Sequence, residues 1–239
     1  MKKFESGYIN SIQTMGLVDG PGIRIVIFMQ GCMLRCIFCH NPETWKLESD
    51  SLMTSKQVVD EIRKYRPYIE LGGGVTFSGG EPLVQSKFLL ECLKLCKKAG
   101  IHTCIDTSGT GYDKKYLNEI LKYTDLVILD FKAIDDEQYK NITGKSIDMF
   151  NYFSEQLNRN NNKLWIRCVI IPGINDNKEY MLKLNKYLKK FNNIEKVELL
   201  PYRTLGVEKY KNLNIKYRLE STPDMEKEKL DKLQKLIEF

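Results

Sequence analysis

One local pattern recurs along the chain: a short run of β-branched and apolar residues, a turn rich in glycine, proline or polar residues, then a segment with helical spacing. The first run covers residues 22–30 and lies between Gly20-Pro21-Gly22 and Gly31. Thr54-Ser55-Lys56-Gln57 then has the form of a capping box, and Val58, Val59, Ile62 and Tyr65 follow at helical spacing until Pro67. Five more runs, at 75–78, 101–105, 126–129, 164–171 and 196–200, precede segments that read as helices near 86–99, 113–122, 149–158, 178–190 and 223–238. Consecutive strands separated by helices form a parallel sheet with right-handed crossovers. Six units are too few to close an eight-stranded barrel. The expected fold is therefore α/β, an open (β/α)6 partial TIM-like barrel with a curved parallel sheet, in a single domain over 1–239; a doubly wound open sheet is the alternative.

Either architecture concentrates chemistry at the carboxyl ends of its strands. The informative side chains sit there: a cysteine loop (31–41) after the first run, Ser78-Gly79-Gly80-Glu81 after the second, Asp106-Thr107 after the third, Asp130 and Lys132 after the fourth, Arg167 within the fifth and Arg203 after the sixth. Strand alternation sends Arg167 either to the barrel interior or to the helix layer, and the interior is the expectation.

The cysteine loop carries three of the seven cysteines, Cys32, Cys36 and Cys39, spaced Cys-x3-Cys-x2-Cys. Three thiolates on one short loop suit three corners of a cubane iron–sulfur cluster, leaving the fourth iron open to bind a small molecule. A structural zinc ion would need His40 to bend back as fourth ligand, because such sites are four-coordinate. Disulfides fit neither the odd count nor the lack of a secretory segment. Cys92, Cys96, Cys104 and Cys168 read as small buried hydrophobes, and His102 as a core or helix-facing histidine.

With an aromatic residue before its third cysteine, the spacing resembles the radical S-adenosylmethionine superfamily. Asp19-Gly20-Pro21-Gly22-Ile23-Arg24 is similar to the signature of glycyl-radical enzyme activases. Further likeness lies in Cys39-His40-Asn41 with Thr44-Trp45, Gly72-Gly73-Gly74-Val75-Thr76, Leu129-Asp130-Phe131-Lys132, Trp165-Ile166-Arg167 and Leu199-Leu200-Pro201-Tyr202. The resemblance runs from near residue 5 to about 210.

It implies that Cys32, Cys36 and Cys39 hold a [4Fe–4S] cluster whose open iron binds S-adenosylmethionine. One electron then gives methionine and a 5′-deoxyadenosyl radical that abstracts a glycine α-hydrogen from a partner enzyme under anaerobic conditions. On the same resemblance Phe38, Cys39 and His40 meet the cofactor, and Gly79, Gly80 and Glu81 hold its methionine amino group. Asp130, Phe131 and Lys132 lie at its methionine and ribose end, and Lys132 is a catalytic candidate. Asp106 and Asp130, with Thr107 and a main-chain carbonyl near Ile128, resemble a Na⁺ or K⁺ site; capping of the next turn is the alternative for Asp106. Arg203 stands where the family has histidine. Asp19 and Arg167 are candidates for meeting the partner, although Asp19 in an Asp-Gly turn also has a purely local reading.

Residues 40–91 contain no cysteine, and this compact form implies pyruvate formate-lyase, through its glycine loop, as the protein substrate. Reduced flavodoxin or ferredoxin is the implied electron donor, and a monomer the expected state outside that complex. A formal charge of +6, from 37 basic and 31 acidic residues, is too modest and dispersed to indicate nucleic acid, though it suits an acidic redox partner. No apolar run approaches the about 18 residues of a membrane span, so a cytoplasmic protein is expected. A radical enzyme acting on a small molecule, and an electron-transfer protein with a passive cluster, are the competing functions. The second would call for a fourth cysteine ligand.

Overall fold

The computed structural model describes residues 3–239. Its centre is an eight-stranded sheet in the order β3-β1-β2-β4-β5-β6-β7-β8. The strands are β1 (Ser6–Gly16), β2 (Arg24–Met29), β3 (Leu52–Thr54), β4 (Gly74–Gly79), β5 (Thr103–Thr107), β6 (Leu126–Asp130), β7 (Lys163–Ile170) and β8 (Ile194–Pro201). From β2 to β8 six strands pair in parallel, one for each expected unit. The sheet is open, with β3 and β8 at its edges. The expected partial barrel is therefore present, and it is extended by two antiparallel strands, β1 and β3, which the six-unit reading had left out. Only three of the eleven residues of β1 are buried, so its sequence lacks the apolar run of a buried parallel strand.

Helices α1 (Ser55–Arg63), α2 (Arg66–Glu70), α3 (Ser86–Lys98), α4 (Lys114–Lys122), α5 (Asp136–Thr143), α6 (Asp148–Asn160), α7 (Lys178–Leu188), α8 (Val207–Asn212) and α9 (Lys227–Gln234) complete the fold. The capping box forms at α1, where Thr54 accepts from Gln57 N and the Gln57 side chain reaches back to the Thr54 amide. α3 buries Phe88, Leu89, Leu90, Cys92, Leu93 and Cys96, each large apolar side chain contributing about 1.5–3 kcal/mol of burial. Two sequence boundaries are corrected. The last helix is Lys227–Gln234 instead of 223–238, because residues before it run extended: Met225 N bonds Tyr202 O at 3.0 Å, and the Asp224 carboxylate accepts from Thr204 N at 2.8 Å. α5 was not expected; Asp135 caps its start and Gly144, at φ 76°, ends it in the left-handed region.

Parallel register divides the sheet into two faces. Ile25, Ile27, Phe77, Ile105, Val127, Leu129 and Ile166 belong to the main core under the helices. Alternate residues face the barrel interior, whose apolar part is a small cluster of Cys104, Leu126 and Ile128 with Trp165 against it. Above that cluster the same face carries Phe28, Ser78, Asp106, Asp130, Arg167, Val169 and Leu200 towards the strand ends, where they line a cavity.

Candidate functional site

The cavity measures about 340 Å³, within the usual range for small-molecule sites. Cys32, Cys36 and Cys39 open into it, as do Phe38, His40, Gly79, Gly80, Asp106, Thr107, Asp130, Lys132, Arg167 and Asp19. Residues named from five of the six strand ends thus share one space. Glu81, Phe131, Ile128 and Arg203 do not line it.

The cysteine loop has no regular secondary structure and is held from three sides. Arg35 N and Ile37 N bond the Thr143 and Ile142 carbonyls at the end of α5, at 2.8 and 2.9 Å. Gly31 N and Cys32 N bond Thr44 O and Trp45 O, at 2.8 and 3.3 Å, and His40 Nε2 lies 2.9 Å from Arg203 O. From α8, Lys209 Nζ reaches Asn41 Oδ1 at 2.8 Å and also bonds Glu43, while Tyr210 packs edge-on against Trp45 at 5.8 Å. Arg203 therefore supports the loop with its main chain, and its guanidinium turns away to Asp224 and Met225 O.

Burial pushes the Cys32 thiol up to about 12, with Glu81 adding to the shift, and the Cys36 thiol up to about 11, with Lys132 pulling the other way. Cys39 is also raised by burial, against hydrogen bonds from Asn41 and Trp45. Metal coordination would have to displace these protons. Among the described residues no three His, Cys, Asp or Glu side chains converge on a point where one metal ion would sit. In a cubane the three protein thiolates bind three different irons.

Beside the root of the cysteine loop, where Glu81 N bonds Gly31 O at 2.8 Å, the Gly79-Gly80 turn brings bare main chain to the cavity. Gly79 has φ 110°, and a Cβ there would come within 2.4 Å of Met29 N; one on Gly80 would come within 2.4 Å of Gly31 O. Glu81 anchors this turn from behind. Its carboxylate is almost wholly buried and accepts from Thr107 Oγ1 (2.6 Å), Leu83 N (3.1 Å), Ser108 N (2.8 Å) and Ser108 Oγ (2.5 Å). Burial raises its pKa while these four donors pull it back. Phe131 likewise faces the core, 4.9 Å from Tyr187 between ring centroids. These two residues shape the site without opening into it.

Charge is concentrated at the ends of β5 to β7. Lys132 Nζ bonds Asp130 Oδ2 at 2.7 Å and lies 5.2 Å from the Phe38 ring centroid. Burial disfavours its charge, but Asp130, Cys36 and Asp106 outweigh burial and raise its pKa. Asp106 accepts from Ser78 Oγ at 2.8 Å; burial, then the Asp130 charge, pushes it up to about 7. Arg167 does face the interior. It bonds Glu198 Oε2 at 3.2 Å and Val18 O, and the carboxylates around it raise its pKa against burial. The cation that two facing aspartates require is thus supplied partly by the protein's own Lys132 and Arg167.

Sequence reasoning named none of Phe28, Leu34, Val169, Leu200 and Pro201 as site residues, although Leu200 and Pro201 lie in a motif it quoted; all five line the cavity. The alternation that places Asp106 and Asp130 inward also places Phe28, Val169 and Leu200, once pairing register is known. His102, expected in the core without a visible partner, is half-buried and its Nδ1 lies 3.2 Å from Arg24 Nη1.

A family model, the radical SAM superfamily, matches residues 26–184. The chain is 51% identical over 232 residues, 97% of each chain, to a pyruvate formate-lyase-activating enzyme of Clostridium pasteurianum, and 44% identical over 240 residues to one of Staphylococcus epidermidis, covering 98% of this chain and 96% of that one. Among solved structures, a domain of a pyruvate-formate lyase-activating enzyme from Bacteroides vulgatus superposes with a TM-score of 0.56 at 22% identity, covering 69% of this chain and 92% of that one. Streptococcus suis SuiB bound to precursor peptide SuiA gives a TM-score of 0.61 at 19% identity, covering 85% of this chain and 45% of that one; likeness at this level bears on the fold alone.

Proposed function

The chain belongs to the radical SAM superfamily and, within it, to the pyruvate formate-lyase-activating enzymes, and on that premise we propose how its residues divide the work. It activates pyruvate formate-lyase by generating a glycyl radical on it. When bound, a [4Fe–4S] cluster and S-adenosylmethionine would supply the chemistry, the one-electron reductive cleavage of the sulfonium coupled to removal of the glycine α-hydrogen. The residues present suit both groups, with three cavity-facing thiols and a cavity-lining glycine turn packed so tightly on neighbouring main chain that neither position admits a Cβ.

Cys32, Cys36 and Cys39 hold the cluster. Gly79 and Gly80 present main-chain groups to the methionine amino group, with Glu81 fixing their position from behind. Lys132, kept charged by Asp130, neutralises the methionine carboxylate, and Asp130 remains available to the ribose end. Phe38 and His40 flank the adenine, and Phe131 supports the Asp130–Lys132 turn from the core. A Na⁺ or K⁺ ion between Asp106 and Asp130, completed by Thr107 and a main-chain oxygen near Ile128, would lower the remaining repulsion. Asp19 and Arg167, both on the cavity wall, meet the glycine segment of the protein substrate. A reduced flavodoxin or ferredoxin delivers the electron to a monomeric enzyme.

The observation that carries this reading is that three thiols, a bare glycine turn and the Lys132–Asp130 pair open onto one small cavity. No helix among the described residues is long and apolar enough to cross a membrane. The test is anaerobic. Reconstituted, reduced protein mixed with S-adenosylmethionine and pyruvate formate-lyase should give 5′-deoxyadenosine and a glycyl-radical EPR signal. Cleavage without that signal would point instead to a small-molecule substrate, and no cleavage at all would leave a passive cluster.

A further inference from the structure

The segment Leu17–Gly22 carries Asp19 to the cavity, yet it has little apolar anchorage, for Leu17 and Val18 are 73% and 72% exposed. Polar bonds hold it instead: Arg167 donates to Val18 O from the far side of the barrel, and the fully buried tie comes from an arginine of the next strand. Arg24 is completely buried at the start of β2, on the interior face, and among the described residues it has no carboxylate ion pair. Instead each of its five N–H groups has an acceptor. Nε donates to Thr76 Oγ1 at 3.0 Å; Nη1 faces Pro21 O at 3.3 Å and His102 Nδ1 at 3.2 Å; Nη2 donates to Val75 O and to His102 O at 3.4 Å.

A buried cation ringed by neutral acceptors is an expensive way to fill a core, and an apolar side chain of similar volume would serve stability at least as well. Its geometry serves something else. The Thr76 hydroxyl that accepts from Arg24 passes its own proton to Asp19 O at 2.6 Å, and Arg24 bonds Pro21 O directly. Two carbonyls of the segment are thereby tied, one directly and one through Thr76, to a single rigid guanidinium. The intervening glycine makes room for it: a Cβ on Gly20, at φ 133°, would lie 3.2 Å from Arg24 Nε. Beyond the tie the Asp19 carboxylate rests over Gly16, where a Cβ would come within 2.6 Å of Oδ2.

We propose that Arg24 is a positioning residue that, through the Thr76 hydroxyl, holds the Asp19 segment against the barrel floor so that Asp19 is set to receive the glycine segment of the protein substrate. The purpose rests on the reading that Asp19 meets that partner. It also accounts for the spacing of Asp19-Gly20-Pro21-Gly22-Ile23-Arg24 as one device: a carboxylate at one end, the group that places it at the other, and a tight turn folded around the link.

The test compares cluster-loaded wild type, Thr76→Val, Thr76→Ser and Asp19→Ala. The readouts are KM and kcat for glycyl-radical formation on pyruvate formate-lyase, cleavage of S-adenosylmethionine without partner, and amide hydrogen exchange over residues 17–23. Valine keeps the shape of threonine and removes the relay. Thr76→Val should raise KM on the order of fivefold, the worth of one hydrogen bond, with kcat and partner-free cleavage within about twofold and faster exchange confined to that segment. Thr76→Ser should restore wild-type KM and exchange, which loss of packing alone would not allow. Unchanged exchange and KM in Thr76→Val, or a serine variant that behaves like valine, overturns the positioning role. An Asp19→Ala variant with wild-type KM overturns the reading of Asp19, and exchange in Thr76→Val then shows whether the anchorage stands apart from it.

Discussion

Replacing Glu81 by glutamine changes one atom in a site where all four carboxylate bonds are accepted from donors. Whichever way the amide is turned, its NH₂ meets a hydroxyl, which can rotate to accept, and a main-chain N–H, which cannot. On the Oε1 side the stranded group is Leu83 N, and on the Oε2 side it is Ser108 N. One buried amide is thus orphaned, at about 1–3 kcal/mol, and the remaining bonds lose their charge assistance at roughly 0.5–1 kcal/mol each. The total expected destabilisation is about 2.5–6 kcal/mol. In anaerobic urea denaturation followed by circular dichroism, with a slope of roughly 2–3 kcal/mol/M, the midpoint should fall by about 1–2 M. Since Glu81 anchors the Gly79-Gly80 turn, affinity for S-adenosylmethionine should fall with it. A midpoint within about 0.2 M of wild type would refute the reasoning, for it would mean that the four bonds are not what secures the turn.

Three further outcomes follow from the same geometry. Cys36→Ser should abolish the iron–sulfur absorbance and the cleavage of S-adenosylmethionine; Cys92→Ser should retain both, since Cys92 is buried in α3 away from the cavity, at a stability cost of about 1–3 kcal/mol for its unmatched hydroxyl. Gly79→Ala should lose measurable S-adenosylmethionine binding in isothermal titration, because the new Cβ would meet Met29 N and O at 2.4 and 2.5 Å in a left-handed backbone. His102 is held below its ordinary pKa by burial and then by the Arg24 charge, against the opposing pull of Asp125. The unfolded chain therefore binds the extra proton first, and stability should fall as pH drops below about 6.5 towards the folded value; His102→Gln should flatten that part of the urea-midpoint profile.

Legibility of the fold varied with how locally each element was specified. The capping box at Thr54, the glycine closing the third helix and the β-branched runs of β2, β6 and β7 carry their own signals, and those elements lie close to where the sequence put them. β1 and β3 were missed because neither carries an apolar run: β1 takes its hydrogen bonds from β2 and β3 on either side with only three of its residues buried, and β3 is a three-residue edge strand. The last helix was read too long because Pro223 and Asp224 look like a helix start. Here Asp224 accepts from Thr204 N and Met225 N donates to Tyr202 O across the chain.

In the site, spacing alone specified the three thiols, since cysteines on one loop are near each other however the chain folds. The composition of the turns likewise specified that Gly79-Gly80, Asp106, Asp130 and Lys132 belong at strand ends. What only the tertiary structure decided is which way each side chain faces and what answers it. Glu81 and Phe131 sit in the same motifs as cavity residues but turn to Ser108 and to Tyr187, Arg167 turns inward to Asp106 and Asp130, and Arg24 is buried against Thr76 and His102, residues 52 and 78 positions away. The physical reason is register: with a side-chain period of two, the facing of every strand residue depends on a pairing that no local stretch contains, whereas the spacing of ligands on a single loop depends on nothing else.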